Sequence, residues 1–412
     1  MKCQLEYEAL TAERLTASPL AFPARGCTLT RRGNAMRFQF GKSVSLTLLV
    51  IGLPAFLPGR SGAQQPVDSV NADGKWHPAL PMQRPEDYVG AKTCSVCHRA
   101  IFEKQITSEM ARSGCRPAEL PGLLEQSAVS YDHGGYTYSI HIESGKALYT
   151  VSDGHGKIVE PLFIAIGAKG QLFYFQHQGK FYRAAVSYSP SEKKLAMDGG
   201  FKIVASDSLE SALGQPVTDE SMRSCLRCHS PGTAAGDHFD MSRFAPGDSC
   251  EACHGPGAKH LAAAGSGKSH DGLIFNPAHL RPAEELDFCG DCHHSIQEVK
   301  DGKFQGTRTA IPQAYRLAGS RCWNASDQRS RCTFCHDPHA PMLKDTAAYD
   351  DKCVACHVLN ATVPARADQQ GKRCPVAQRD CAHCHMPRQA TADGVFTDHR
   401  IRVVRLGEVY PE

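Results

Sequence analysis

The 412-residue sequence predicts an α+β chain, mostly short helices and loops with a β-rich insertion, and three observations predict it. A five-residue pattern, Cys-x-x-Cys-His, recurs seven times. Between its first and second copies the chain alternates apolar and polar residues at strand period. Beyond Ser221 regular patterning fades and Gly and Pro punctuate the segments, which leaves room only for short elements.

The first copy holds Cys94, Cys97 and His98. Six more fall within 161 residues: Cys225, Cys228 and His229; Cys250, Cys253 and His254; Cys289, Cys292 and His293; Cys332, Cys335 and His336; Cys353, Cys356 and His357; Cys381, Cys384 and His385. This spacing is the attachment signature of a c-type haem: two thiols add across the two vinyl groups of one porphyrin, and the adjacent imidazole ligates its iron. Zinc is the alternative, since paired cysteines also build tetrahedral sites, but zinc does not require a histidine after every pair. Seven motifs predict seven covalent haems. Intervals of 25, 39, 43, 21 and 28 between first cysteines exclude a fixed structural repeat. Six haems in 161 residues leave too little chain for an apolar core per unit, so stacked haems are expected to form much of the core, and the haem-free region is not expected to fold.

Residues 36–63 have the layout of a secretory signal peptide: Arg37 and Lys42, an apolar run from Ser43 to Leu57, then Ser61-Gly62-Ala63 before Gln64. The run is short for a membrane span. Cleavage after Ala63, export to the periplasm or otherwise out of the cytoplasm, and no transmembrane span in the mature chain are therefore expected. Translation is expected to begin at Met36, with 1–35 an over-extended reading; a genuine extended leader is the alternative. Residues 64–87 read as a linker, 88–222 as an N-terminal domain with motif 1 and the β-rich insertion, 223–402 as a six-haem domain and 403–412 as a tail. Residues 1–63 hold eight Lys/Arg and three Asp/Glu, so the remainder carries 38 basic and 40 acidic residues, net −2. That balance does not support nucleic-acid binding.

After motif 1, Cys97, Ile101, Phe102, Ile106 and Met110 recur at helical spacing, which predicts one helix ending at Gly114. Residues 131–188 predict strands rich in aromatics (Phe173, Tyr174, Phe175, Phe181, Tyr182, Tyr188), read as sheet core rather than as a ligand pocket. Seven of the 20 histidines are proximal ligands, leaving 13 for the opposite iron faces. The stronger candidates are His260, His339 and His399, followed by His238, His279 and His294. His339 and His294 lie too near their own motifs to reach the far face of their own haem, so each is expected to serve a neighbour. Met110 is too far along the helix to serve haem 1, which leaves that haem without an evident distal ligand. Cys115, Cys322 and Cys374 lie outside the motifs; an oxidising compartment permits one disulfide among them, with Cys322–Cys374 the pairing considered, and their odd number leaves one thiol over.

The opening Tyr88-Val-Gly-Ala-Lys-Thr-Cys, the CHGPG at His254, the CHDPH at His336, Cys384-His-Met-Pro and Thr397-Asp398-His399 resemble the multihaem cytochrome c superfamily that includes cytochrome c-554 and hydroxylamine oxidoreductase. Where the carrier branch often has Thr-x-His-Ala, this chain has Ser108-Glu109-Met110-Ala111. The resemblance implies closely packed haems and electron transfer between redox partner proteins, a membrane quinone-linked oxidoreductase among them. The alternatives are an oxidoreductase acting on a small nitrogen or sulfur compound at one open haem, haem 1 first, and a docking role for the β-rich insertion.

Overall fold

The computed structural model describes residues 77–78, 84–167, 170–199, 208–235, 238–268, 272–357, 374, 376–391, 393–405 and 407–410. The expected leader, the signal peptide and most of the linker lie outside these residues. Described residues on both sides of the expected boundary at 222/223 belong to one compact unit, and the helix Asp219–His229 runs across that boundary.

The strand pattern produces a nine-stranded antiparallel sheet: β1 (Gly114–Cys115), β2 (Val129–His133), β3 (Tyr136–Glu143), β4 (Lys146–Ser152), β5 (Lys157–Ile166), β6 (Gln171–His177), β7 (Lys180–Ser189), β8 (Lys194–Met197) and β9 (Gly214–Val217). β2 to β8 form a meander, β1 adds to β5 and β9 to β7. The sheet therefore exceeds the expected 131–188, because strands as short as β1 and β9 carry no period of their own. Ser144-Gly145 and Gln178-Gly179 both take positive φ (49° and 74°; 49° and 76°), the conformation that a tight right-twisted hairpin requires. β2 and β8 approach each other, so the sheet curls nearly closed.

Alternation decides which face each residue serves. Tyr138, Tyr149, Phe173, Phe175 and Tyr188 point inward and are essentially inaccessible. These aromatics are core. The other face of β5 to β7 presents Ile164, Ile166, Tyr174 and Phe181 to Met222 and Leu226 of the helix Asp219–His229, and to Phe244. Burying a side chain such as Leu226 contributes about 1.5–3 kcal/mol. Thr218 caps that helix by accepting from the Ser221 N–H at 3.1 Å, with Asp219 and Glu220 in the first turn. The motif at its C-terminal end is thus fixed against the sheet.

Past this helix the fully apolar contacts thin out. Leu280 and Phe288 are the buried members of a small cluster that includes Cys253 and Cys289. Helices of four to twelve residues follow one another, and a two-stranded hairpin, Arg388–Thr391 with Gly394–Thr397, comes near the end. No helix among the described residues is long and apolar enough to cross a membrane.

The helix expected from Cys97 to Gly114 is instead the seven-residue Arg99–Gln105, which starts after His98 (φ −107°, ψ 41°), and a separate short helix, Ala91–Cys94, precedes it. Helical spacing continued to Met110, but the Met110 carbonyl accepts from Ser113 and Asp248. Turn contacts and a neighbouring loop took the backbone groups that a longer helix needed.

Candidate functional site

Each motif sits on or beside a short helix. Motif 2 ends Asp219–His229, motif 4 ends Pro282–His293, and motifs 3 and 7 are the helices Cys250–His254 and Cys381–His385. Motif 5 lies on Cys332–Cys335, motif 6 overlaps Asp350–Val354, and motif 1 follows Ala91–Cys94. Residues three apart on a helical turn share a face, so both thiols of a pair project together.

The second ring nitrogen of several histidines is already engaged. His254 Nδ1 lies 2.8 Å from the Phe275 carbonyl, His385 Nδ1 2.7 Å from that of Arg402 and His399 Nδ1 3.0 Å from that of Thr397. A carbonyl at Nδ1 requires the proton there and leaves Nε2 as a lone-pair donor for a metal. His229 differs: its Nδ1 is 2.9 Å from Ser113 Oγ and 3.3 Å from an Asp248 carboxylate oxygen. Burial lowers the pKa of His254, His293 and His336, and pushes His399 down to about 4. At His229 burial acts in the same direction, but Asp248 outweighs it and the net shift is upward.

Three motif histidines face a second histidine. His98 and His260 have ring centroids 6.4 Å apart, His254 and His339 6.0 Å, and His336 and His399 6.3 Å. Two metal–imidazole bonds of about 2 Å in line place ring centres roughly 6 Å apart. His339, which follows motif 5, faces motif 3; His399, which follows motif 7, faces motif 5. Motif 1, expected to lack a distal partner, has His260 across from it. The sequence distance from residue 98 to residue 260 hid that pairing.

Carboxylates register the motifs, two of them (Glu251 and Glu285) buried and one (Asp350) half-buried. Glu251, the second residue of motif 3, accepts from the N–H groups of Val89 (2.9 Å), Gly90 (2.8 Å) and Gly257 (2.8 Å). It thereby holds both the start of the motif 1 segment and the start of the helix Ala258–Gly265 that carries His260. Glu285, on the motif 4 helix, receives Arg331 and the Thr333 N–H (2.7 Å) of motif 5. Asp350, at motif 6, accepts from the N–H groups of Asp380 (2.6 Å) and Cys381 (2.8 Å) of motif 7. First thiols meet across the same three pairs: Cys94 with Cys250, Cys289 with Cys332 and Cys353 with Cys381. Second thiols meet between motifs 2 and 4, Cys228 with Cys292.

A buried ion pair supports His399. Asp398 receives both Nε (2.7 Å) and Nη2 (2.9 Å) of Arg316, and Nη1 of Arg402 (2.7 Å); Asp398 and Arg316 are at most 1% exposed. Ser320 Oγ donates to the His399 carbonyl at 3.1 Å.

Other candidates lie elsewhere. His294 packs on Phe304 and is 3.4 Å from Glu298, and His279 is exposed on a turn. The His238 side chain lies outside the described residues. Cys322 and Cys374 are both thiols, not a disulfide: Cys335 and Cys353 are neighbours of Cys322, whereas Cys374 is exposed beside the backbone of Val376 and Ala377. His77, in the expected linker, pairs with Asp291 inside motif 4 and meets Phe288 edge-on at 5.7 Å. No spacing rule points to His77, Ser113, Asp248 or the three carboxylates, since each acts across long stretches of chain.

The donor set fits one haem per motif: two thiols a turn apart, an adjacent imidazole whose Nδ1 is engaged at motifs 2, 3 and 7 and, at motifs 1, 3 and 5, a second imidazole at the separation one iron requires. It does not fit zinc. Among the described residues the three converging metal-binding side chains are Glu285, Cys289 and Cys332, which mix two motifs, and their carboxylate already receives Arg331 and Thr333.

No family model matches the chain. The multiheme cytochrome MtrA of Shewanella baltica (strain OS185) is 26% identical over 186 residues, 41% of this chain and 47% of that protein. The chain thus spans about half the length of this curated relative. Among solved structures, the outer cell wall cytochrome OcwA aligns over 76% of this chain and 80% of its own, at 14% identity and a TM-score of 0.43. The sequence similarity, though weak, supports a multihaem cytochrome.

Proposed function

We propose that the chain is an exported seven-haem c-type cytochrome that carries electrons between periplasmic or membrane redox partners, within or near the cytochrome c-554 and hydroxylamine oxidoreductase group. The observation that carries this reading is the set of three facing histidine pairs, each joining a motif to a histidine outside it. When bound, haem supplies one-electron chemistry at iron, and two strong axial ligands favour a low-spin carrier over a site that binds substrate.

The residues of the chain do the rest. His260, His339 and His399 would hold the iron together with the motif histidines His98, His254 and His336 that they face. Glu251, Glu285 and Asp350 hold motifs 1 and 3, 4 and 5, and 6 and 7 side by side, giving electrons short steps. With His260 opposite His98, motif 1 loses its place as first candidate for an open, reactive haem.

Low-temperature EPR of the oxidised holoprotein, with and without nitrite or hydroxylamine, tests the proposal. Low-spin signals unchanged by either compound are expected. A high-spin signal that shifts with either would replace the carrier with an oxidoreductase.

A further inference from the structure

The contacts of His229 separate motif 2 from the motifs whose histidine is held by a carbonyl. Ser113 Oγ donates its proton to Asp248 at 2.8 Å, so it meets His229 Nδ1, 2.9 Å away, as an acceptor. His229 N–H, Ser113 O–H and the Asp248 carboxylate form a relay, and the same carboxylate lies 3.3 Å from Nδ1 directly. The loop bearing Asp248 is built for this. Gly247 N–H donates to the His229 carbonyl at 2.8 Å, Asp248 N–H donates to the Met110 carbonyl at 3.1 Å, and the Gln105 amide donates to the Asp248 carbonyl at 2.6 Å. Gly247 has φ +105°, and a Cβ there would come 2.1 Å from the Ala111 carbonyl, so only glycine permits the approach.

We propose that Asp248, through Ser113 and directly, tunes the haem site of motif 2 to the most negative reduction potential in the array. A carboxylate drawing on the Nδ1 proton makes the imidazole a stronger electron donor than a carbonyl does, and a stronger donor stabilises ferric iron. Motif 2 also lies between two clamped pairs, with its Cys228 beside Cys253 of motif 3 as well as Cys292 of motif 4. Its second thiol meets motif 4 and its first thiol meets Tyr174 of the sheet, while the carboxylate clamps join motifs 1 and 3, 4 and 5, and 6 and 7. Electrons would reach this site last and leave it with the greatest driving force. Asp248 is here a positioning residue, not a catalytic one.

This rests on haem attachment as proposed above, so the first measurement is the mass of the peptide bearing Cys225 and Cys228. A bare peptide would sink the attachment reading and this one with it. With the peptide loaded, Asp248→Asn is titrated spectroelectrochemically against the parent holoprotein. The expected result is that the most negative of the seven components moves positive while the other six stay, and that Asp248→Glu restores it. No movement, a negative movement or a joint movement of several components overturns the proposal. Should Asp248→Asn mature with fewer than seven haems, Ser113→Ala decides. It leaves the carboxylate alone against Nδ1, so the same component should move further negative, and a positive or absent shift overturns the proposal.

Discussion

His339 lies three residues after His336 in sequence but opposite His254 in space. Its loop is tied to the motif 1 segment by Lys104–Asp337 (2.9 Å) and by the Met342 N–H on Glu109 (2.8 Å). Replacing His339 with Ala removes one of two facing imidazoles and leaves the attachment residues intact. The holoprotein should keep seven haems by pyridine haemochrome assay and gain one high-spin ferric signal in EPR; an all-low-spin spectrum would refute the pairing. Asp398→Asn acts one step further out. It leaves the Arg316 guanidinium buried without its carboxylate, a change that typically costs about 3–5 kcal/mol, to be read as a lower guanidinium midpoint for the holoprotein. His260, His339 and His399 were legible in the sequence as candidates, because each is a histidine near a motif but not within one. Their partners were not legible, since facing is a long-range relation that no local spacing encodes.

At the scale of elements, the recurring device is a carboxylate from one haem-binding segment on the N–H groups that open another. Glu251 serves two openings at once, before motif 1 and before the His260 helix. Glu251→Ala would strand three N–H groups. At about 1–3 kcal/mol for a buried unsatisfied donor, and with water reaching some of them, a loss of at least about 2 kcal/mol is expected. The same variant should broaden or lose the low-spin signal at motif 1, whereas Glu160→Ala on the sheet should leave every haem signal alone. The strands were legible from alternation in β3 and β4, whose Tyr138, Ile140, Tyr149 and Val151 all face inward. The helix after motif 1 was over-read, because periodicity records which residues are apolar and not where the backbone finds its partners.

The molecule as a whole divides its sources of stability. The sheet encloses an aromatic core of its own, while the segments after Ser230 carry a small apolar cluster around Leu280 and Phe288 among five motifs. Haem-free protein should therefore keep the sheet and lose the rest. Limited proteolysis of the haem-free full chain should leave a resistant fragment of roughly residues 110–220, and equal protection across 223–402 would contradict this. The crossed histidine pairs also govern how the molecule comes into being. A chain threaded through a membrane from its N-terminus presents His254 well before His339, and His336 well before His399. Attachment can proceed in order of emergence, but motif 3 waits for residue 339 and motif 5 for residue 399. Each of these sites is therefore completed only after a later segment has emerged, and a ribosomal truncation just short of His399 would leave a defect at motif 5, behind two motifs already synthesised.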